Sequence, residues 1–589
     1  MTRPAVGSVA PIIKANGTEL SAIVLNSLID MRVSLALRLP GRARITFLDA
    51  GFAISAGGVF DLGTKISVET ASSEKLFTGE VTGVELDVEL GAPNMTVIAD
   101  DESYKMTLGN KARTFADMGY SDVVSKIVRE IGIPLNITAT SSVPKYLLQA
   151  DSDFGFVSEI CDRVGYDWWV DPTGTMQVHP MGSQQGAAPK LDWRTGTVGL
   201  RHFSVRASAL HPQKVTAHGW DAGTARSLTA NSKPATNNPT ASLVVPYINA
   251  SRLTQHSAVT TGYRMFAAQG DGLDLASSTA TLAATSAVTA EGLCNVNSAI
   301  QVGHQVAVAE VGPASGTYAV TEVEHTYTAR GFLTRFTAGD RLPTGLVDTL
   351  SAPVVSSFRQ DALVVGLVTN AGDNSAPKGY VKVKYPSLGD QVESAWARVV
   401  AMGAGASRGM TFLPEVNDEV IVGFEGGDVT RPLVLGGLYS TTNTALDYGV
   451  NEGKIARRQI VSRLGHVIEL GDGITPADQR IALTLAGGQH TINLGKDGLV
   501  AKVPAGEPVS IAAGDTKIEF DKQGNITMSG QKITIKATQD VEISGLNVTV
   551  KANAKVEASG LEVKVTGSVQ AEVASGGITS VKGSLVKIN

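Results

Sequence analysis

From residue 530 onward the chain alternates apolar and polar side chains almost without a break. The stretch "VEISGLNVTVKANAKVEASGLEVKVTG", residues 541–567, holds no aromatic residue and nothing bulkier than Leu or Ile. Alternation with period two predicts strands that each have one apolar face. Ile533, Ile535, Val541 and Ile543 fall on odd positions, Leu546, Val548, Val550 and Val556 on even ones, and Leu561, Val563 and Val565 on odd ones again. A slip of one residue turns every side chain of a strand to its other face, so a turn must lie at each change of phase. Ser-Gly pairs mark those turns; they begin at Ser529, Ser544, Ser559 and Ser575, at spacings of 15, 15 and 16 residues. The pattern is an internal repeat, one extended segment plus a Gly turn, as in a solenoid. Inward residues this small poorly fill a coil closed by one chain, and they suit a narrow axis shared by identical chains, in which every strand edge is paired. The residues expected on that axis are Val541, Ile543, Leu546, Val548, Val550, Leu561, Val563 and Val565. The plainer alternative is a meander sheet or a β-rich tail; the regular period argues against it.

Upstream, "SRLGHVIELGDGITPADQRIALTLAGGQHTINLGKDG" (462–498) reads as short alternating strands broken by Gly and Asp turns, a neck to the repeats. Its His466 and His490 have no second ligand at metal spacing, so surface or turn-packing roles are expected. Residues 358–440 hold five strand-like runs separated by Gly, Pro and Asp turns, the pattern of a small closed barrel of the OB type. OB barrels that bind oligonucleotides present stacking aromatics on a positive face; this one presents acidic runs. Gly405-Ala-Ser407-Arg-Gly409 fits the G-x-S-x-G nucleophile pattern, but a strand-like run, Glu419 to Phe424, follows where that motif requires a helix.

In the first 350 residues, the runs "RARITFLD", "KISVETAS" and "KLFTGEVTGVELDVEL" predict strands. Val123, Val124, Ile127, Val128 and Ile131 form a helical stripe, with Ser121 as the expected cap and Gly132 and Pro134 as the stop. A second helix buries Phe154, Val157, Ile160, Cys161 and Val164, which makes Cys161 a core residue rather than a nucleophile; Trp168 and Trp169 then begin a strand. In the Ala-, Ser- and Thr-rich stretch 222–300, a loop and a small-residue helix, "LDLASSTATLAATSAVTAEG", are expected inside a second barrel.

Composition narrows the functional classes. A chain of 589 residues exceeds one hydrophobic core. Its 63 glycines and 5% aromatics favour thin, turn-rich β structure. A formal charge of −6, with both signs mixed along the chain, supplies no basic stripe for nucleic acid. Two cysteines give no disulfide framework and fit folding in a reducing compartment. The N-terminus lacks a signal-peptide core, and no apolar run is long enough to span a membrane as a helix.

Residues Gly366 to Tyr439, above all "ESAWARVV", "FLPEVNDEVIVGFEGGDVTRP" and "LGGLY", closely resemble the OB domain of VgrG-type spike proteins and of phage baseplate spikes from contractile injection systems. The match lies in the spacing of Trp396, Arg398, Leu413, Pro414, Glu415, Asp418, Glu419, Val420, Phe424, Gly427, Asp428, Arg431, Pro432, Gly436 and Tyr439. Asn417 departs from it, standing where many relatives carry Gly in a turn. "YLLQADSDFGFVSEICDRVGYDWWV" and "GTYAVTEVEHTYTARGFLTRF" resemble the hub domain of the same family and of phage late control protein D.

The resemblance implies a mainly β fold: a hub of two β-barrels with helical insertions (1–352), an OB-fold barrel (358–446), and a neck with a triple-stranded β-helix needle formed by a homotrimer (447–589). It implies a central spike that pierces a target-cell envelope. Implied partners are the inner tube protein at the hub base, baseplate proteins and a PAAR-type tip protein with its effector, the tip docking on Leu585, Val586, Ile588 and Asn589. It implies no cofactor, no metal, no nucleic acid and no catalysis. Assembly in the bacterial cytoplasm without a signal peptide is expected, and the simple OB block leans toward a phage-tail-like extracellular particle. The rival readings are a spike-borne cell-wall or glycan hydrolase, which the scattered acids and missing aromatics of 530–589 disfavour, and a surface adhesin, which the missing secretion signal disfavours.

Overall fold

A computed structural model describes residues 10–89, 92–183, 187–193, 199–208, 214–221, 224, 226–232, 258–261, 266, 268–286, 288–339, 363–372, 377–389 and 391–588. Strand Leu28–Ala36 buries Met31, Val33 and Leu35 and turns Arg32 outward; Arg42–Leu48 buries Ala43, Ile45 and Phe47 in the same rhythm. They lie at the centre of a thirteen-stranded sheet. Its order is Leu200–Ala207, Val288–Asn295, Gly331–Ala338, Gly316–Thr328, Leu28–Ala36, Arg42–Leu48, Ala92–Asp100, Lys75–Glu89, Lys65–Glu69, Ile12–Ala15 and Thr18–Glu19, with Gln305–Ala309 and Lys190–Asp192 branching from Gly316–Thr328. Strands from residues 12–100 and from residues 190–338 are thus carried on one continuous ladder. Gly316–Thr328 pairs antiparallel with Leu28–Ala36, setting Val323 opposite Leu35 and Tyr327 opposite Met31, nearly 300 residues apart in sequence. One hydrophobic cluster, from Ile13 through Phe47 and Val97 to Tyr318 and Phe336, fills this sheet.

His325 on the joining strand is wholly buried beside the Thr334 hydroxyl, its Nδ1 2.9 Å from Oγ1. Burial disfavours the imidazolium and pushes its pKa down to about 4. Between about pH 6.5 and 4 the unfolded chain therefore binds a proton that the folded chain refuses, and stability falls as pH drops through that window. The expected loss is up to about 3 kcal/mol, complete near pH 4 and absent above pH 6.5. Denaturant midpoints of the wild type and His325→Gln at pH 7 and 4.5 check this; equal pH slopes for the two would contradict it.

A second layer packs helices on short sheets. Helix α1, Tyr120–Ile131, buries Val123, Val124, Ile127 and Val128, and Gly132 ends it. Its N-cap is Gly119 rather than Ser121. Ser121 is the second helical residue, where its hydroxyl accepts from the Thr140 amide at 3.2 Å and its amide donates to the Thr140 hydroxyl at 3.1 Å, so it ties α1 to a neighbouring loop. Helix α2, Asp153–Val164, is capped by Ser152, which accepts from Gly155. It buries Phe156, Val157, Ile160 and Cys161, whereas Phe154 and Val164 are only partly buried at the rim. Cys161 lies in the core, and burial pushes its thiol up to about 12.

Helix α3, Gln269–Ser286, lies within the expected small-residue stretch but ends earlier: Val288–Asn295 is a strand between Leu200–Ala207 and Gly331–Ala338. Ladder pairing on both sides there overrides local helical preference. Through Leu275, Ala276 and Ala280, α3 packs on the sheet of Lys214–Asp221, Arg226–Asn231 and Ala258–Thr261, outside the large sheet. A Cβ at Gly165, the left-handed end of α2, would sit 3.0 Å from the Ser278 Cβ, so this crossing is close because both residues are small. Much of the rest of 222–300 lies outside the described residues, as does the boundary expected between hub and OB barrel.

The OB pattern folds as predicted. Strands β1 (Val364–Asn370), β2 (Tyr380–Lys384), β3 (Ala397–Val399), β4 (Glu419–Phe424) and β5 (Pro432–Gly437) close a barrel in the order β1-β2-β3-β5-β4. Val368, Val381, Val383, Tyr385, Val420, Val422 and Val434 form its core. Asn417 takes the left-handed conformation, φ 75°, which Asn tolerates better than most residues with a Cβ. Residues 1–444 and 445–589 form two compact units.

Candidate assembly surface

In the C-terminal unit, Arg457–Val461, Val467–Asp472, Gln479–Thr484, Thr491–Gly495 and Gly498–Lys502 form one antiparallel sheet. Cross-strand register sorts its side chains into faces. Ile460, Ile468, Leu483 and Ile492 make one row, and Leu470, Ile481, Leu494 and Leu499 the row beside it. These eight aliphatics share one face and are 41% to 72% exposed. The reverse face is mixed, carrying Val461, Val467, Ala482 and Val500 beside Gln459, whose Nε2 donates to Glu469 Oε2 at 2.7 Å, and Arg480, whose Nη2 lies 2.8 Å from Glu469 Oε1. The alternation of 462–498 signalled strands, but only the register shows that its Ile and Leu residues fall on a single uncovered face.

A second sheet, Val509–Ala513, Thr516–Phe520 and Ile526–Ser529, repeats the arrangement with Ile511, Ile518 and Met528 in one row and Val509, Phe520 and Ile526 in the next. Beyond it, residues 530–588 form no strand and no backbone ladder within the chain. Val541, Ile543, Leu546, Val548, Val550, Leu561, Val563 and Val565 are each more than half exposed, and so are Leu585 and Ile588, with Val586 nearly so; Asn589 lies outside the described residues. The strands expected here are absent from the single chain for a physical reason: a strand needs a second row of N–H and C=O groups, and this segment has none of its own to pair with. Contiguous apolar exposure on this scale marks an interaction surface. His466 Nδ1 accepts the Ala486 amide at 3.0 Å, a turn-packing role, and His490 pairs with Glu507.

The residues that give the OB block its signature form a joint with the hub. Arg431 Nε donates to Glu425 Oε2 at 2.8 Å, Arg431 Nη2 to the Trp220 carbonyl at 3.2 Å, and Arg398 Nη2 to the same Glu425 oxygen at 3.1 Å. Asp428 accepts from the amide and hydroxyl of Thr430 and lies 3.7 Å from Arg163 of α2. From the hub, Leu148 enters the barrel's core cluster and the Tyr146 hydroxyl donates to the Glu393 carbonyl at 2.6 Å. Ser407 stands in a tight turn closed by Gly405 and Arg408, with φ 54° and no helix after it, so the strand-turn-helix of a nucleophile elbow is not built. Among the described residues no group of three or more His, Cys, Asp and Glu is placed to hold a metal, and no helix is long and apolar enough to cross a membrane.

Comparison with known proteins identifies the barrel. Residues 364–439 match the Type VI secretion system/phage-baseplate injector OB domain. The chain is 41% identical over 71 residues to the type VI secretion system spike protein VgrG3 of Vibrio cholerae, and 38% identical over 69 residues to the spike protein VgrG2a of Pseudomonas aeruginosa. Each alignment covers 11% of this chain and 7% or 8% of the relative, so the chain spans less than a tenth of the curated relatives it matches. The OB domain is thus of the VgrG spike type. Residues 6–329, more than half of the chain, match the Alg8 N-terminal domain, and the chain belongs to that family. Solved structures that overlay on it include the Escherichia coli c3393 protein, a component of the type VI secretion system (15% identity, 72% of this chain and 99% of that one, TM-score 0.46), and the Francisella PdpA-VgrG complex (8% identity, 84% and 87%, TM-score 0.49). Overlays this loose carry no argument about function.

Proposed function

We propose that this protein is the central spike of a contractile injection system and acts as a homotrimer. Three copies place their hubs (1–352) on the inner tube, their OB barrels (358–446) as a collar among baseplate proteins, and their C-terminal segments (447–589) as one needle. The observation that supports this reading best is the segment 530–588, periodic, apolar, exposed and without a ladder in its own chain. Wound around two identical segments, it would pair its backbone groups and bury its small side chains on a common axis, with Val541 to Val565 inward. Such a prism resists local unfolding because opening any rung exposes paired groups in all three chains. Its task is mechanical, to be driven through a target-cell envelope when a sheath contracts, and calls for no bond chemistry. Leu585, Val586, Ile588 and Asn589 would then be where a PAAR-type tip protein carrying an effector docks.

Light scattering should give the purified chain three times its 61.3 kDa, while a truncation after Thr444 should run as a monomer. A full chain that is a well-folded monomer would overturn the proposal.

A further inference from the structure

Fifteen-residue repeats leave a problem that the neck sheet is built to solve. Val548 is followed fifteen residues on by Val563 and then Ile578, Leu546 by Leu561, Val550 by Val565, and Glu542 by Glu557 and Glu572. A copy displaced by one whole repeat would meet nearly the same side chains at every rung and lose contacts only at the ends. Where pairings are nearly degenerate, strand register is weakly specified. The repeats by themselves therefore do not fix how three chains align.

We propose that the five-stranded sheet spanning 457–502 is the clasp that sets this alignment, its apolar face closing against the same face of two further copies; this rests on the trimer reading above. The sheet does not repeat in sequence, so its eight Ile and Leu residues fit one stagger only. On its reverse face Glu469 is buried between Gln459 and Arg480, which leaves the Ile and Leu face as the more open one. Eight half-exposed aliphatics amount to roughly 700 Å² per copy, near the ~800 Å² per partner of a stable specific interface. The occupant is a second copy because the uncovered surface continues along the chain, from Ile460 through Ile511, Ile526 and Met528 to the repeats. A partner must match it tier for tier over about 130 residues, which another copy of this chain does by construction.

The test compares two full-length variants. Ile481→Asp with Leu494→Asp charges the neck face; Leu546→Asp with Leu561→Asp charges the repeats. All four positions are exposed in the single chain, so neither pair disturbs its fold, and circular dichroism checks that. Without the clasp the repeats can still pair in shifted registers whose overhanging ends recruit further copies, so light scattering should show the neck variant as a broad mixture of masses and the repeat variant at the single wild-type mass. The milder pair Ile481→Thr with Leu494→Thr should give a narrower spread between those limits. A neck variant with the single wild-type mass, or a repeat variant that falls to one third while the neck variant keeps that single mass, overturns the clasp. A wild-type chain that is itself a monomer instead overturns the trimer reading.

Discussion

Replacing Arg431 by methionine should loosen the OB barrel from the hub and cost about 2–3 kcal/mol. The guanidinium is mostly buried; it donates to Glu425 through Nε and to the Trp220 carbonyl through Nη2, joining the barrel to the strand Lys214–Asp221. Methionine of similar length keeps the packing but leaves Glu425, itself about four-fifths buried, with Arg398 as its remaining ion-pair partner at 3.1 Å. Removing one partner of a fully buried pair costs about 3–5 kcal/mol, and Arg398 together with the partial exposure lowers that figure here. Arg431→Lys keeps the charge but loses the fork that reaches both acceptors, so an intermediate loss is expected. Calorimetry on the full chain should show the barrel transition moving several degrees below that of the wild type. An R431M protein that melts with the wild type would show that Tyr146 and Leu148 hold the joint unaided.

The larger effect is expected deeper in the hub. Phe336 is completely buried, and the register sets it between Gly292 on one strand and Val323 on the other. A Cβ at Gly292 would lie 2.2 Å from the Phe336 ring, so the ring occupies the space that the glycine leaves. Phe336→Ala should remove about 3–5 kcal/mol, because the cavity is lined by two strands that cannot collapse without breaking their ladders. Gly292→Val should be damaging as well, through overpacking. Tryptophan fluorescence during denaturant unfolding measures both, and a loss below about 1 kcal/mol for Phe336→Ala would mean that the site repacks.

The same two sites mark how far the sequence can be read. Gly292 fell at the end of a stretch that reads as helix, because Ala, Ser and Thr at 273–286 continue into Val288 and Thr289 with no stop signal. The strand there exists only because Leu200–Ala207 and Gly331–Ala338 pair with it from either side. Arg398, Asp428 and Arg431 were legible as a family signature; that they hold a joint depends on Glu425, Trp220 and Arg163, which nothing in their spacing brings together. Ser121 illustrates the same limit at the scale of one side chain: its position suits a cap, and Thr140, nineteen residues away, takes it for another purpose.

The sequence alone determined the local and the periodic: the alternation that makes strands, the stripes of α1 and α2, the turns that close the OB barrel, and the fifteen-residue repeat. These follow from contacts within a few residues or from a pattern that recurs. Tertiary structure decided which strands meet across hundreds of residues, as Gly316–Thr328 meets Leu28–Ala36, and which face of the neck sheet is left bare. Those outcomes depend on register, where a shift of one residue exchanges inside for outside, and on hydrogen-bonding partners, which residues 530–588 do not find within their own chain.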